Sequence, residues 1–284
     1  MFPFQNIIGY LRKANSVIGN LECPLTLQNT SVDKLIIFKC PPRYTNILAQ
    51  AGFTHISLAN NHSLDCGRNG LKETVENLKK FSLIPLGIFD QNNQLLTCHF
   101  SSLDQKYHLI CIIEGEGLAR WEKRPKPLSI ADPQVAQWIK SHTGENNHVI
   151  VYIHWITENW EVPPSCVIHN VNLLKNWGAN IIIGHGSHNI GPIEWDEKSF
   201  IIYSLGDTVF DVNENIVNNG ILLRLDLFAN KIQPYILPYN IYDCQPDPVS
   251  GNQKEVLMKR IKFISKGISL IQCSKWVKII REDN

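Results

Sequence analysis

The residues able to do chemistry in this chain interrupt apolar, strand-like runs at four places: Asn20-Leu21-Glu22, Asn60-Asn61-His62-Ser63-Leu64-Asp65, His154-Trp155 and Gly184-His185-Gly186-Ser187-His188. Apolar runs at 54–58, 149–153 and 180–183 lead into three of them, so His, Asn and acidic side chains stand where buried strands end. Open α/β sheets bind ligands at that edge. Imidazole, carboxamide and carboxylate together make a mixed nitrogen and oxygen set that suits a divalent first-row metal, and two such ions can share bridging ligands. The pattern reads as a dinuclear metal hydrolase site, complete or partial.

The elements that must position these groups follow from periodicity. Residues 3–15 read as a helix with Ile7, Ile8 and Leu11 on one face, and 16–19 as a short buried strand that ends just before Glu22. Pro41-Pro42 precedes a helix through Ile47, Leu48 and Ala51 that stops at Gly52, and 53–58 is the next strand. After the 60–67 loop, Asn69-Gly70 opens a helix striped by Leu71, Val75 and Leu78, and 84–87 returns as strand, completing a βαβ unit. Strand 107–113 leads into an irregular stretch, 115–127, with Trp121, Arg124, Pro125 and Pro127, read as an ordered loop over a site. Asp132 is the expected N-cap, with Pro133 at the first helical position, of a helix to about Ser141. Strand 149–153 delivers His154. A helix from Pro163-Pro164 to Gly178, with Val167, Val171 and Leu174 apolar, is followed by strand 179–183, which delivers His185.

From Phe200 the period shortens to two. Runs 200–204, 220–227 and 231–236 read as antiparallel strands of a second sheet, the last two joined by an Ala229-Asn230 turn. Beyond Pro246 the spacing of Val256-Leu257 and Ile261 predicts a helix whose Lys254, Lys259, Arg260, Lys262 and Lys266 face water. Residues 1–245 are therefore expected to form one α/β domain and 246–284 a helical extension packed on it.

Composition narrows the function classes. With 284 residues, 44% hydrophobic and 19% charged, the chain has ample material for a core. With 27 basic against 26 acidic residues it has no long-range field for a polyanion, which argues against nucleic acid as a partner. The eight cysteines are scattered without a CxxC pair and read as reduced, small apolar filler, Cys23 and Cys66 beside the site included. The N-terminus has no basic n-region, and no run approaches the ~20 apolar residues of a membrane span. The chain as written is thus expected to be cytoplasmic; a membrane-anchored or extracytoplasmic location requires an N-terminal segment before Met1. Oligomeric state is not readable. His55, His99, His108, His142, His148 and His169 read as structural or merely exposed, and Glu158 as a solvated carboxylate.

The four motifs resemble those of the CapA-type family, the bacterial poly-gamma-glutamate capsule synthesis proteins related to calcineurin-like metallophosphoesterases. The matching blocks are Val17-Ile18-Gly19-Asn20-Leu21-Glu22-Cys23-Pro24-Leu25-Thr26, then 58–67 with Gly70-Leu71, then 149–155, and lastly 184–188 leading to Tyr203-Ser204-Leu205-Gly206-Asp207-Thr208-Val209-Phe210-Asp211. The resemblance implies a metallophosphoesterase-like sandwich of two β-sheets flanked by α-helices (αββα), with metal-binding loops at strand ends. Carried over residue by residue, it makes Glu22 and Asn61 oxygen ligands and His154, His185 and His188 imidazole ligands. His62 then resembles the non-ligand histidine that protonates a leaving group, and Asp65 is placed to orient it, as carboxylates commonly do.

The implied activity is hydrolysis of a phosphoester or amide by metal-bound hydroxide, using Mn, Fe or Zn, two ions in a complete site, on a small molecule or an anionic polymer. Such chains normally begin with a strand ending in Gly-Asp, whose aspartate is a ligand. No Asp precedes Glu22 here, so that first strand is expected to be missing, and one metal position with it. The family also often has Asp at Asn15, His at Gly186 and Asn at Asp207. Two further readings stay open: a non-catalytic accessory of capsule polymer synthesis that holds an anionic chain in the same cleft, and a pseudoenzyme.

Overall fold

Alternation of side chains along a few long strands decides the layering of this molecule. The computed structural model describes residues 3–29, 34–115, 124–210, 219–228 and 231–282. After a short helix α1 (Ile8–Leu11), strands β1 (Ile18–Asn20), β2 (His55–Ser57) and β3 (Ile84–Leu86) pair in parallel in that order, with α2 (Thr45–Ala51) and α3 (Gly67–Lys80) as crossovers. Strand β4 (Ile88–Phe89) forms a small antiparallel ribbon with β7 (Lys126–Pro127).

The largest sheet has six strands. Its parallel centre is β6 (Gln105–Ile113), β8 (Asn147–His154), β9 (Ile181–His185) and β11 (Phe200–Ile202), flanked by antiparallel edges β5 (Cys98–Ser102) and β10 (Ile193–Trp195). Helices α4 (Pro133–Ser141) and α5 (Ser165–Trp177) connect the central strands. An antiparallel sheet closes the chain: β12 (Asn219–Leu227), β13 (Ile232–Tyr242), β14 (Gln245–Pro248), β15 (Ile268–Cys273) and β16 (Trp276–Arg281), with α6 (Gly251–Ile264) before its last hairpin.

Successive side chains on a strand point to opposite faces. On β6 and β8, Tyr107, Leu109, Ile150 and Tyr152 face a core shared with Leu86, Ile221, Ile236, Val277 and Ile279 of the other two sheets. Ile110, Ile112, Val149, Val151 and Ile153 face the opposite way, onto Val135, Ile139, Val167, Val171 and Leu174 of α4 and α5. Ile56 of β2 meets Leu71 and Leu78 of α3 on the far side. The result is helices, six-stranded sheet, the other two sheets, then helices, a four-layered α/β sandwich. The second β-layer is two hydrogen-bonded sheets rather than the single one expected, because three-residue β1 to β3 and the antiparallel strands are not joined edge to edge.

Several local expectations change. Helix α1 covers only Ile8–Leu11, although Ile7 and Leu11 are buried as the pattern required. Strand β11 does not join the antiparallel sheet but pairs in parallel with β9; its three residues are all buried, the signature of a strand covered on both faces rather than of alternation. The tail is helical only to Ile264 and then forms the β15–β16 hairpin, whose Ile268, Val277 and Ile279 enter the shared core. Lys254 does not face water: it is buried, and its Nζ donates to the carbonyls of Lys275 (2.6 Å) and Ser274 (3.3 Å) of that hairpin. Val256 is exposed instead. Asp132 starts α4 as expected, but its carboxylate does not cap the helix; it accepts from Ser129 N–H and Lys126 Nζ. Most of the loop at 115–127, Trp121 included, and the Ala229-Asn230 turn lie outside the described residues. Among the described residues no helix is long and apolar enough to cross a membrane.

The layering yields a test on α3. Leu71→Ala, which empties a site with 0% exposure between α3 and β2, is expected to lower unfolding free energy by about 2–5 kcal/mol. Phe263→Ala on α6, at 90% exposure, should change it by less than about 0.5 kcal/mol. Urea titration of both variants reads the difference; equal losses would contradict the layering.

Candidate metal centre

Four of the sequence-selected positions converge because two strands end in register. In the β8–β9 pairing His154 lies directly opposite His185, and both imidazoles are buried, with Nδ1 to Nδ1 at 3.1 Å. Two glycines make room. A Cβ on Gly184 would lie 2.0 Å from the Tyr203 carbonyl and 2.2 Å from the Trp155 indole nitrogen, which donates to that carbonyl at 2.6 Å. Gly186 has φ +95°, and a side chain there would meet the His154 ring. The bend after His154 is held by buried Glu114, whose carboxylate accepts from Ile156 N–H (3.1 Å) and Asn170 Nδ2 (3.0 Å).

The three-stranded sheet brings up the two candidate oxygen donors. Glu22 follows β1 and brings Oε1 to 3.5 Å from His154 Nδ1; Asn61 follows β2 and accepts at Oδ1 from His154 Nε2 at 3.1 Å. One ligand atom each of Glu22, His154 and His185 lies within 4.8 Å of the others. His188, held at φ 65°, stands outside that group; its Nδ1 is 3.0 Å from Asp207 Oδ1 and its Nε2 3.9 Å from Glu158 Oε1.

Burial sets the protonation states. Desolvation pulls the His154 pKa down to about 3, helped by the positive fields of His188 and His62, and pushes that of His185 well below the usual imidazole range. Both rings are therefore neutral with lone pairs available, the form a metal requires. Burial raises the Glu22 carboxyl, only partly offset by His188 and His62. The hydrogen bond to Asp207 raises His188. His185 Nε2 is buried with no hydrogen-bond partner. An orphaned imidazole nitrogen, a second neutral imidazole and a desolvated carboxylate form a donor set that a divalent cation fits and an apolar or neutral occupant does not.

Beside this cluster lies a second group. His62 Nδ1 is 2.7 Å from Asp65 Oδ2, and Asp65, fully buried, also accepts from Lys34 Nζ (2.6 Å) and Phe38 N–H (2.8 Å). Lys34 reaches the Asn61 carbonyl as well (2.9 Å), and the Phe38 ring tilts over His62 at 4.3 Å between centroids. A run of amides joins the two groups: Asn20 Nδ2 donates to Glu22 (2.7 Å), Asn60 Nδ2 to Asn20 Oδ1 (3.0 Å), and His62 N–H to Asn60 Oδ1 (3.0 Å).

The sequence reading grouped Glu22, Asn61, His154, His185 and His188 as ligands and paired His62 with Asp65; the structure brings the first four together and His62 onto Asp65, and leaves His188 at the side against Asp207. That reading assigned no role to Asn20 and Asn60, although both stood in the interrupting motifs, and it weighed Asp207 only as a departure from the family. Lys34 and Glu114 carried no usable signal, because a lone lysine in a polar stretch and a glutamate after a strand are ordinary surface residues.

Comparison with known proteins defines the family. A family model described as "Bacterial capsule synthesis protein PGA_cap" matches residues 1–212. The chain belongs to that family. Among its relatives, "PGA biosynthesis protein CapA" of Bacillus subtilis is 29% identical over 273 residues, covering 91% of this chain and 71% of the relative. A "Probable polyglutamine synthesis accessory protein" of Mycobacterium tuberculosis is 29% identical over 276 residues, covering 87% and 71%. The crystal structure of a Vps29 double mutant from Entamoeba histolytica aligns over 79% of this chain and 97% of its own at 14% identity and TM-score 0.33, a likeness too low to bear on fold or site.

Asp65 gives a pH test. Burial raises its carboxyl, but hydrogen bonds from His62, Lys34 and Phe38 N–H outweigh that and hold it below its usual value of 3.8. A depressed folded pKa contributes stability that is complete above the unfolded value and is lost as pH falls through the folded one. Asp65→Asn is expected to cost roughly 2–3 kcal/mol near neutrality, with half-exposed Lys34 tempering the loss. The gap to wild type, read by urea titration, should stay constant down to about pH 4 and narrow below it. A gap that widens with acid would refute the assignment.

Proposed function

We propose that this chain is a metal-dependent hydrolase acting on a phosphoester or amide, with Glu22, His154 and His185 as the core ligands of a divalent cation. The observation that carries the reading is the approach of their three ligand atoms within 4.8 Å in a buried setting that keeps both imidazoles neutral. Asn61, whose Oδ1 lies at His154 Nε2, and His188, whose Nδ1 is engaged by Asp207 and whose Nε2 lies 3.9 Å from Glu158, stand beside these three as further donors. Mn, Fe or Zn suits this mix of nitrogen and oxygen. A bound cation of this kind supplies Lewis acidity toward a phosphoryl or carbonyl oxygen and lowers the pKa of water.

The remaining chemistry belongs to the chain. With Nδ1–H of His62 donating to Asp65, Nε2 is the nitrogen that gives a proton to a departing alkoxide or amine. Lys34 holds Asp65 from the other side, so the carboxylate stays anionic and the His62 ring is fixed in orientation. The Asn20 and Asn60 amides hold Glu22 and the His62 backbone at fixed separation. Phe38 covers the His62 ring and limits its contact with water. A second reading, a non-catalytic accessory of poly-gamma-glutamate or other capsule polymer synthesis that holds an anionic chain in this cleft, is favoured by the mycobacterial relative, which is named an accessory protein.

Elemental analysis of protein grown in metal-replete medium should find Mn, Fe or Zn in wild type and most of it gone in His185→Ala; a metal-free wild type would sink both the ligand assignment and the hydrolase reading. His62→Asn should retain metal yet slow substrates with poor leaving groups by about 10²–10⁴-fold, with nitrophenyl esters much less affected. Loss of metal in step with activity in His62→Asn would make His62 a ligand instead. Retained metal with no wild-type turnover above a metal-free control, together with binding of poly-glutamate, would favour the accessory reading.

A further inference from the structure

Three histidines that the candidate metal centre does not use gather at the other end of the six-stranded sheet. In the antiparallel β5–β6 pairing His99 lies directly opposite His108, with ring centroids 6.3 Å apart. Tyr107 and Leu109 of β6 face the shared core, so His108 between them faces the helix layer, where it meets His142 at the C-terminal end of α4. His108 pairs with Val149 of β8 and Ile113 with His154, so about five residues of strand, roughly 16 Å, separate this cluster from the metal centre.

Two of the rings are disposed as ligands of a common ion are. Metal–nitrogen bonds of about 2.0–2.1 Å at tetrahedral or octahedral angles hold imidazole centroids roughly 4.5–5.2 Å apart. The His108 and His142 centroids are 4.6 Å apart with planes at 61°; His154 and His185, in the candidate metal centre, stand at 5.0 Å and 62°. Contacts behind the rings fix which nitrogen each offers. His142 Nδ1 donates to the Trp138 carbonyl (2.7 Å) while its ring stacks on the Trp138 indole (4.2 Å between centroids), which leaves Nε2. The Asn147 carboxamide is oriented by Nδ2 donating to the Glu145 carbonyl (3.0 Å), so its Oδ1 accepts from His108 Nε2 (3.0 Å) and leaves His108 Nδ1. Proteins hold metal-binding imidazoles by such bonds to the far nitrogen. The carbonyl end of α4 adds negative potential at the same place.

We propose that His108 and His142 form a second cation site, taking a divalent ion of the nickel, copper and zinc class through one nitrogen of each ring, with water at the remaining positions. Imidazole suits these ions, which bind nitrogen donors more tightly than manganese or iron does. Among the described residues only Glu22, His154 and His185 bring three ligand atoms within 4.8 Å of one another, so this site has two protein ligands as it stands, and rotation of the exposed His99 side chain supplies a third. The ion ties the end of α4 to the sheet. Its binding does not depend on occupancy of the Glu22 centre or on hydrolysis.

The test titrates nickel ions calorimetrically into the full chain, stripped with EDTA and with exposed Cys166 and Cys273 alkylated, and reads the thermal midpoint with and without nickel. The background is His185→Ala, which disables the principal centre. One nickel should bind per chain there and raise the midpoint. Adding His142→Gln or His108→Asn should weaken that binding by at least about 10-fold and abolish the shift, and His99→Gln should weaken it less. His169→Gln, an exposed histidine on α5, should change neither. No nickel bound in the His185→Ala chain, binding indifferent to His142→Gln, or an equal loss in His169→Gln would overturn the proposal. His142 stands just past the last turn of α4, so its variant decides the matter even where His108→Asn fails to fold; if His185→Ala itself fails to fold, the same substitutions in wild type should remove one bound nickel. A wild type without metal at Glu22 would sink the hydrolase reading and leave this site untouched.

Discussion

The parallel register between β8 and β9 is the constraint on which the site depends. It sets His154 opposite His185 at the ends of two buried strands, and a slip of one residue would turn both imidazoles toward opposite faces of the sheet. The register is fixed by what lies behind it: Ile150 and Tyr152 face the shared core while Val149, Val151 and Ile153 face the helices, so apolar burial on both faces penalises any slip. Gly186 keeps clear the space beside the His154 ring, Gly184 lets the Trp155 indole and the Tyr203 carbonyl approach, and that indole locks β8 to the strand beyond through the Tyr203 carbonyl.

Burying this many polar groups is costly unless each is satisfied, and the surrounding network meets most of that cost. Glu114 takes up the amide after the bend, the Asn20 and Asn60 carboxamides connect Glu22 to the His62 backbone, and Asp65 collects three donors. What remains unmatched at the site lies with Glu22, His154 and His185: a carboxyl raised by desolvation, two imidazoles kept neutral, and one ring nitrogen without a partner. A cation would relieve all three at once, which is why the cluster reads as a binding site and not as a structural knot. The chain belongs to the capsule synthesis family, and its near-neutral net charge gives it no long-range electrostatic field.

The segment from Lys34 to Cys40 is the least regular part of the site and the most consequential for the proton donor. It has no helix or strand of its own, yet it contributes the cation and the amide that fix Asp65 and the ring that covers His62. Its Leu35 is fully exposed and Ile36 largely so, hence the segment is held by polar contacts at its ends and not by burial of its apolar side chains.

The sequence by itself determined the alternation of strands and helices and the polar interruptions at strand ends, because short-range periodicity is written locally, and the resemblance of those interruptions to a known family named Glu22, Asn61, His154, His185 and His188 as candidate ligands. It also carried the βαβ order and the glycine stops at Gly52 and Gly178, which need left-handed backbone. Only the tertiary structure decided that β11 runs parallel beside β9, that the tail returns as a hairpin over buried Lys254, and that Asp132 serves Lys126 instead of capping α4. Strand partners, hydrogen-bond recipients and the approach of Lys34 to Asp65 are set by which surfaces pack. Packing is a property of the whole core, and no window of sequence contains it.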